Sequence, residues 1–306
     1  MAQSASAKPH AAVIGLGSMG FGMATSLRRA GFDVTGCDVS DDAVARFAAD
    51  GGFGARTPAE AAKDAAIVVS VVVNAAQTET ILFGPGGVAE TLAKDAVFVS
   101  SATMDPDVAR RLAKQLEASG RHYLDAPISG GAQRAAQGEL TILASGSAAA
   151  FAKARPALDA MAAKLYELGD AAGQGAAFKM INQLLAGVHI AAASEAITFA
   201  AKQGLDLRKV YEVITASAGN SWMFQNRMPH VLDGDYAPRS SVSIFTKDLG
   251  IVLDMARSAN FPVPLAGSAL QMFLMTAAAG MAGDDDSSVV RLYARIAGLR
   301  LPGDDA

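Results

Sequence analysis

Lys179 is out of place. The stretch DAAGQGAAFKMINQLLAGVHIAAASEA runs from Asp170 to Ala196, and of the 24 residues between Asp170 and Glu195 it alone carries a full charge at neutral pH. Read as a helix, Lys179, Asn182 and Gln183 stand at i, i+3 and i+4 and share a face, while Phe178, Met180, Ile181, Leu184 and Leu185 cover the rest. An ammonium buried there loses its hydration unless it is paired. Burial pushes a lysine pKa down, and a bound carboxylate pushes it back up. A lysine tuned toward neutrality can carry a proton. Alcohol oxidation needs such a group, because a base must take the hydroxyl proton as hydride leaves the carbon. Asn182 would hold the same oxygen or a neighbouring hydroxyl. The competing reading is a lysine that snorkels to solvent from the helix edge, and the rest of the chain has to decide between the two.

A second chemical signal lies near the start. VIGLGSMGFGMA contains the turn Gly15, Leu16, Gly17, Ser18, Met19 and Gly20, with glycines in the GxGxxG spacing. The first glycine permits the tight turn from strand to helix, the second lets backbone approach a pyrophosphate, and the third lets helix and strand pack closely. The helix N-terminus then offers amides and a partial positive charge to phosphates. The spacing alone is weak in a chain with 30 glycines, but an apolar strand precedes it and a helical pattern follows. Asp38, 18 residues beyond Gly20, ends the next strand. It would accept hydrogen bonds from the adenosine ribose and repel a 2′-phosphate. The next arginine is Arg46, so NAD is favoured over NADP as the cofactor. The plain alternative for Asp38 is a turn or cap.

Ligands of open α/β sheets sit beyond the carboxyl ends of the strands. Val73 and Asn74 end one apolar run, Thr103 follows another, and Pro127-Ile128-Ser129-Gly130-Gly131 follows a third. Each is an ordinary turn residue alone, and their common position is what selects them. Val73, Asn74 and Thr103 are expected on the cofactor side. His10, His122, His189 and His230 show no metal-ligand spacing to one another or to Cys37, so no metal is expected. There is no G-x-S-x-G elbow, which leaves serine hydrolase chemistry unsupported.

The elements that must position these groups read as an α/β fold. AAVIG, FDVTGCD, AIVVSVVV, AVFVSS, HYLDAP and LTILAS read as strands, alternating with helical patterns such as MGFGMATSLRRAG. Continuous apolar runs suit strands covered on both faces, and the alternation predicts an N-terminal Rossmann-type, doubly wound parallel sheet. After LYELGD strands vanish. The uncharged run, extended to about Gln203, predicts one helix of roughly 45 Å. Further helices are expected near 207–218, 245–259, 264–281 and 286–297, giving an all-α C-terminal domain joined by the long helix. The expected domains are residues 1–170 for NAD binding and 171–306 for substrate and dimerisation.

Composition excludes several classes. The chain has 306 residues, 51% hydrophobic and 18% charged, with 26 basic against 30 acidic residues and no basic block. That argues against nucleic acid and against a basic membrane face, and aromatics at 6% are too few for base stacking. The long helix has the length of a membrane span, but Gln174, Asn182, Gln183 and His189 beside Lys179 are costly in hydrocarbon. A single cysteine fits a reducing, cytoplasmic setting. The polar start MAQSASAKPH has no signal-like apolar core and reads as a tail before the first strand.

Together these segments resemble the β-hydroxyacid dehydrogenase family, which includes 3-hydroxyisobutyrate dehydrogenase and tartronate semialdehyde reductase. The resemblance covers nearly the whole chain. GLGSMGFGMA matches the family's cofactor motif. DAPISGG matches its substrate motif, which implies that Ser129, Gly130 and Gly131 bind a substrate carboxylate. Gly173, Gly175, Lys179 and Asn182 match its catalytic motif, which implies Lys179 as the catalytic residue. FTKDL matches its C-terminal motif, which suggests that Lys247 reaches the nicotinamide side, and Thr103 matches a cofactor contact. Gln183 stands where many members have a second asparagine. The resemblance implies a small hydroxy acid substrate and a homodimer or homotetramer. Imine reductases of the same fold usually lack the lysine, as do relatives that have become non-catalytic nucleotide-binding modules. Retention of Lys179 beside Asn182 speaks against both. AGNSWMFQNRMPHVLDGDY adds Asn220, Ser221 and Arg227 as polar groups that, with His189, could meet a hydroxylated substrate or simply pack. GDDDSSVV is explained by helix capping.

Overall fold

The computed structural model describes residues 9–303. The polar start expected as a tail lies, up to residue 8, outside the described residues. Six strands, β1 (His10–Ile14), β2 (Asp33–Cys37), β3 (Phe53–Ala55), β4 (Ile67–Ser70), β5 (Val97–Ser100) and β6 (His122–Asp125), form one parallel sheet in the order β3-β2-β1-β4-β5-β6. This is the doubly wound order in which the chain starts centrally and winds outward both ways. The alternation within β1 shows why its sequence is apolar throughout. Ala11 and Val13 enter the core on one face with Met23, Leu27 and Leu124, and Ala12 and Ile14 enter the other with Val68, Phe98 and Tyr123. Both faces are dry, so neither alternating position admits a polar side chain.

The apolar run AIVVSVVV is shorter as a strand than its composition suggests. β4 stops at Ser70, and Val71 to Val73 leave the sheet because Asn74 already caps the next helix, Ala75–Phe83. LTILAS also departs from expectation. It forms β8 (Leu140–Ala144), which lies in a separate three-stranded sheet with β7 (Ile128–Ser129) and β9 (Ala162–Glu167). β7 pairs antiparallel with β8, and β8 pairs parallel with β9. β7 begins three residues after β6 ends, and a further parallel strand needs a crossover of about a dozen residues or more. β3 and β7 escape sequence reading because they are only three and two residues long, and β9 (AAKLYE) because it opens on two alanines, which are poor strand formers.

The chain divides into two compact units between Lys179 and Met180. From the long helix Gln174–Lys202 onward the described residues are helical: Leu207–Thr215, Trp222–Asp233, Val242–Ser258, Pro264–Thr276 and Val289–Ala297. The helix Trp222–Asp233 is absent from the sequence reading, since Pro229 lies inside it, where proline ordinarily breaks a helix. The expected helix 264–281 is α-helical to Thr276, then passes into a wider turn, Ala277–Met281, with Gly280 at φ 89°.

The long helix has 29 residues and spans roughly 44 Å. Length and composition would let it cross a membrane, yet it builds the core of the second unit. Met180, Ala186, Ile190 and Ala191 pack with Phe245, Leu249 and Phe273, while Ala193 and Ile197 pack with Phe224, Met228 and Val231. That is why the segment is almost uncharged.

Its N-terminus is fixed by a buried acid. Asp125, at the end of β6, accepts hydrogen bonds from the Gly173 and Ala176 amides, both at 2.9 Å, and from the Ser145 hydroxyl at 3.3 Å. The Ser145 hydroxyl in turn accepts from the Gly175 amide at 2.9 Å. Gly175 must be glycine, because a Cβ there would lie 2.4 Å from the Leu143 carbonyl oxygen. Burial pushes the Asp125 acid up to about 6, although the two amides, Ser145 and Arg110 pull it down. A raised carboxylate contributes stability that is complete below the unfolded-state value near 3.8 and is lost as pH rises through about 6. Asp125→Asn removes that dependence. In urea titrations at pH 4 and pH 7, the stability of the variant relative to the parent should improve by about 2 kcal/mol at the higher pH. A difference independent of pH would show that Asp125 is not a buried, titrating cap.

Candidate functional site

The glycine turn is built as its spacing predicts. Gly15 follows β1 at φ 94°, and a Cβ there would lie 2.6 Å from the Val71 carbonyl oxygen. A Cβ on Gly20 would lie 1.8 Å from the Gly15 carbonyl oxygen, whereas one on Gly17 would meet nothing within 4 Å. The first glycine is therefore required by packing against the Val71 backbone, and the third by packing of the turn against itself. The second is required by nothing in the chain and leaves open space where backbone can approach a ligand. Ser18 is exposed and Met19 half-buried beside it, and buried Leu16 points into the core. Helix Gly20–Arg29 starts from this turn, and among the described residues no side chain caps its N-terminus. An uncapped helix end beside an open glycine suits an anion and fits a dinucleotide pyrophosphate.

Asp38, just past β2, adjoins this turn. Its carboxylate accepts from the Leu16 amide at 2.6 Å and the Ser40 amide at 2.8 Å. The turn role is therefore real, and it orients the carboxylate on the rim of the same opening with oxygen lone pairs to spare for ribose hydroxyls. Cys37 is buried beside Asp38, and burial and the Asp38 charge push its thiol up to about 11.

Asn74 caps Ala75–Phe83 by accepting from the Gln77 amide at 2.9 Å, and the Gln77 side chain accepts from the Val73 amide at 2.9 Å. This reciprocal cap occupies the Asn74 oxygen, while the Val73 side chain is exposed. Thr103 lies half-buried between β5 and helix Pro106–Glu117. Ser129 ends β7 opposite Thr141. Gly130 and Gly131 follow at φ 139° and 80°, values that favour glycine and open the turn after Ser129.

Lys179 does not snorkel. It is 8% exposed, and its Nζ donates to the Ile128 carbonyl oxygen at 2.8 Å. Ile128 is the residue before Ser129, so the fold brings the lysine onto the Ser129-Gly130-Gly131 segment from 51 residues away. The next turn of the same helix carries a second polar group. Asn182 Nδ2 donates to Gln183 Oε1 at 3.0 Å, and Gln183 Nε2 donates to Asp248 Oδ2. The other oxygen of Asp248 accepts from the Lys247 ammonium. Asp248 is fully buried on helix Val242–Ser258. Sequence reading missed both Asp125 and Asp248. Each sits inside a recognised motif, DAPISGG and FTKDL, where an aspartate in an otherwise apolar neighbourhood was the available signal.

Other polar candidates are committed elsewhere. Arg227 forms a two-pronged pair with buried Asp286, at 2.6 and 2.9 Å. Ser221 caps Trp222–Asp233, and Asn220 Nδ2 donates to the Thr215 carbonyl at 3.2 Å. His189 lines an apolar cavity of about 830 Å³ in the second unit with Ala192, Ala196, Phe199 and Val213. In GDDDSS, Asp285 caps the turn at Ser287, as expected of a capping residue. Its buried acid would be raised by desolvation alone, but His230, the Ser287 hydroxyl and the Arg239 amide hold it well below the usual range.

Known proteins share these features. Residues 10–169 match the NAD binding domain of 6-phosphogluconate dehydrogenase, and residues 173–293 match the NAD-binding domain of NADP-dependent 3-hydroxyisobutyrate dehydrogenase. The chain is 51% identical to L-threonate dehydrogenase of Cupriavidus necator over 95% of its own length and 97% of the relative's. It is 47% identical to L-threonate dehydrogenase of Escherichia coli K12, covering 96% and 97%. Among solved structures, a Salmonella typhimurium protein named 3-hydroxyisobutyrate dehydrogenase superposes with a TM-score of 0.89 at 48% identity, covering 93% of this chain and all of that one. With its glycine turn, its buried helix lysine and relatives alike over nearly their whole length, the chain is a member of the β-hydroxyacid dehydrogenase family, an NAD(P)-dependent hydroxyacid dehydrogenase related to 3-hydroxyisobutyrate dehydrogenase.

Proposed function

We propose that this chain oxidises L-threonate at C2 to 2-dehydro-L-erythronate with NAD, and that Lys179 is the base. The observation that carries the reading is the buried Lys179 Nζ held 2.8 Å from the Ile128 carbonyl. That bond survives deprotonation, because a neutral amine still donates to a carbonyl and keeps its lone pair for an incoming hydroxyl. The Ser129 hydroxyl and the Gly130 and Gly131 amides would hold the substrate carboxylate, and Asn182 and Gln183 the hydroxylated carbons. Lys179 then takes the C2 hydroxyl proton, and in the reverse direction returns it to the carbonyl oxygen. The nicotinamide, when bound, accepts the hydride. Gly15 through Gly20, Asp38, Val73, Asn74, Thr103 and Lys247 would hold the dinucleotide. Two L-threonate dehydrogenases at 47 and 51% identity support the substrate. Oxidation of 3-hydroxyisobutyrate is the second reading, favoured by the likeness to the Salmonella protein that bears that activity's name. A cytoplasmic setting fits the single, buried thiol of Cys37.

We further infer self-association through the long helix. Ile181, Leu185 and Phe199 are 61, 49 and 64% exposed, and with Ala192 and Ala196 they recur on one face at three- and four-residue spacing. Leu205 and Val213 extend the apolar surface around the cavity. If each of these five large side chains leaves roughly 100 Å² uncovered, they supply about 500 Å², more than half of the ~800 Å² per partner of a stable dimer. A second copy of the same helix supplies a matching apolar stripe of equal length.

Kinetics and sedimentation check these readings. NAD reduction with L-threonate, D-threonate and 3-hydroxyisobutyrate side by side should favour L-threonate. In Lys179→Ala, turnover should fall by about 10²–10⁴-fold while NAD affinity stays within about twofold; normal turnover removes the lysine from the mechanism. Asp38→Ala should narrow the preference for NAD over NADP, and an unchanged ratio excludes the ribose contact. Sedimentation should give a dimer or tetramer, with Phe199→Glu shifting the protein toward monomer at micromolar concentration; a monomeric parent ends the interface reading.

A further inference from the structure

The polar groups around Asp248 form a chain with a fixed direction. An ionised carboxylate only accepts hydrogen bonds. Asp248 takes one from Lys247 on one oxygen and one from Gln183 Nε2 on the other. Gln183 must therefore face Asp248 with its amino group, which turns its carbonyl toward Asn182. Asn182 must in turn donate, at 3.0 Å, and so its own carbonyl oxygen is directed away from Gln183. Gln183 is 7% exposed and Asp248 0%, so water does not compete strongly for the bond between them, while Asn182, at the outer end of the chain, is exposed. An amide left to itself can present either end, since its two faces are nearly equal in shape. Here a buried charge removes that freedom.

We propose that Asp248 is a positioning residue that acts through Gln183 to lock the Asn182 amide with its oxygen outward, so that the site selects a substrate offering a hydroxyl donor beside the reacting carbon. This rests on the reading of Asn182 as a substrate contact. It gives Gln183 a specific reason to be glutamine: its extra methylene, compared with asparagine, carries the amide to Asp248. Asn182 is exposed in the free protein; once bound substrate covers it, a ligand without that hydroxyl leaves its oxygen unpaired, which is how a desolvated polar group rejects a deoxy analogue. The class of ligand it fits is a polyhydroxylated acid rather than a branched monohydroxy acid.

Asp248→Asn keeps the shape but lets the chain reverse, and Gln183→Leu cuts it while leaving the Lys247–Asp248 pair in place. Each should raise KM for L-threonate by ~10-fold with kcat changed less than ~3-fold, and each should lower the preference for L-threonate over 2,4-dihydroxybutanoate. Because Gln183 is itself a proposed substrate contact, the relay is read from Asp248→Asn: if Asp248 acts through Lys247 alone, that variant leaves the preference for L-threonate over 2,4-dihydroxybutanoate unchanged, and the proposal fails. A second readout needs no turnover. In ¹⁵N–¹H spectra of the intact protein, the side-chain amide pair of Asn182 should shift in Asp248→Asn although the two residues share no bond; an unmoved pair overturns the proposal. Circular dichroism and Tm confirm that each variant is folded. Absence of L-threonate turnover in the parent would refute the substrate reading instead, and the spectral arm would still decide this one.

Discussion

A charged amine is held where water is scarce, and the chain has to hold it there by geometry. Lys179 lies within the second turn of a long apolar helix, and that helix can present it to the Ile128 carbonyl only if its start is pinned. Asp125 does the pinning. It accepts two amides from the first turn and a hydroxyl from Ser145, in an enclosure that admits no side chain at Gly175. The free amides at a helix start attract a carboxylate, and burial strengthens the bonds while penalising the charge. Desolvation wins by a modest margin, which leaves the acid near 6 rather than fully neutral. The lysine's position is thus set by a residue 54 positions earlier that never touches it.

Structural bonds and ligand bonds draw on the same side chains. Asp38 secures the glycine turn and retains lone pairs on the rim of the opening. Asn74 spends its oxygen on a helix cap, so any cofactor contact there falls to its amino group or to backbone. Arg227 is committed to Asp286 through two of its nitrogens and to the Asn226 side chain through the third, as the buried Asp286 charge requires. Capping and pairing are therefore not alternatives to function at these positions. They determine which atoms remain for it.

The glycines divide along the same line. Gly15 and Gly20 are demanded by the turn itself, because a methyl group at either would strike backbone. Gly17 is demanded by nothing within the protein. Open room at that place, between a strand end and an uncapped helix start, is where backbone can approach a pyrophosphate.

Much of this was legible in the residues alone. Apolar runs covered on both faces, a strand-glycine-helix turn and a long helix with a single lysine in its apolar stretch follow from period and composition, because those depend on neighbours within a few residues. The segments that misled were those whose state depends on partners far along the chain. β8 has a strand's composition, but which sheet it joins depends on β7, only two residues long and half-buried. Val71 to Val73 have a strand's composition too, and a cap at Asn74 overrides it. Local chemistry marked Lys179 as unusual, but whether its amine met solvent or the Ile128 carbonyl was decided only when the chain closed on itself. Likewise, the aspartates in DAPISGG and FTKDL are visible as letters, while their work as helix anchor and amide lock exists only in three dimensions, where the Gly173 amide and the Gln183 side chain reach them from 48 and 65 residues away. Sequence separation carries no information about such convergence, since a hydrogen bond is made by distance in space.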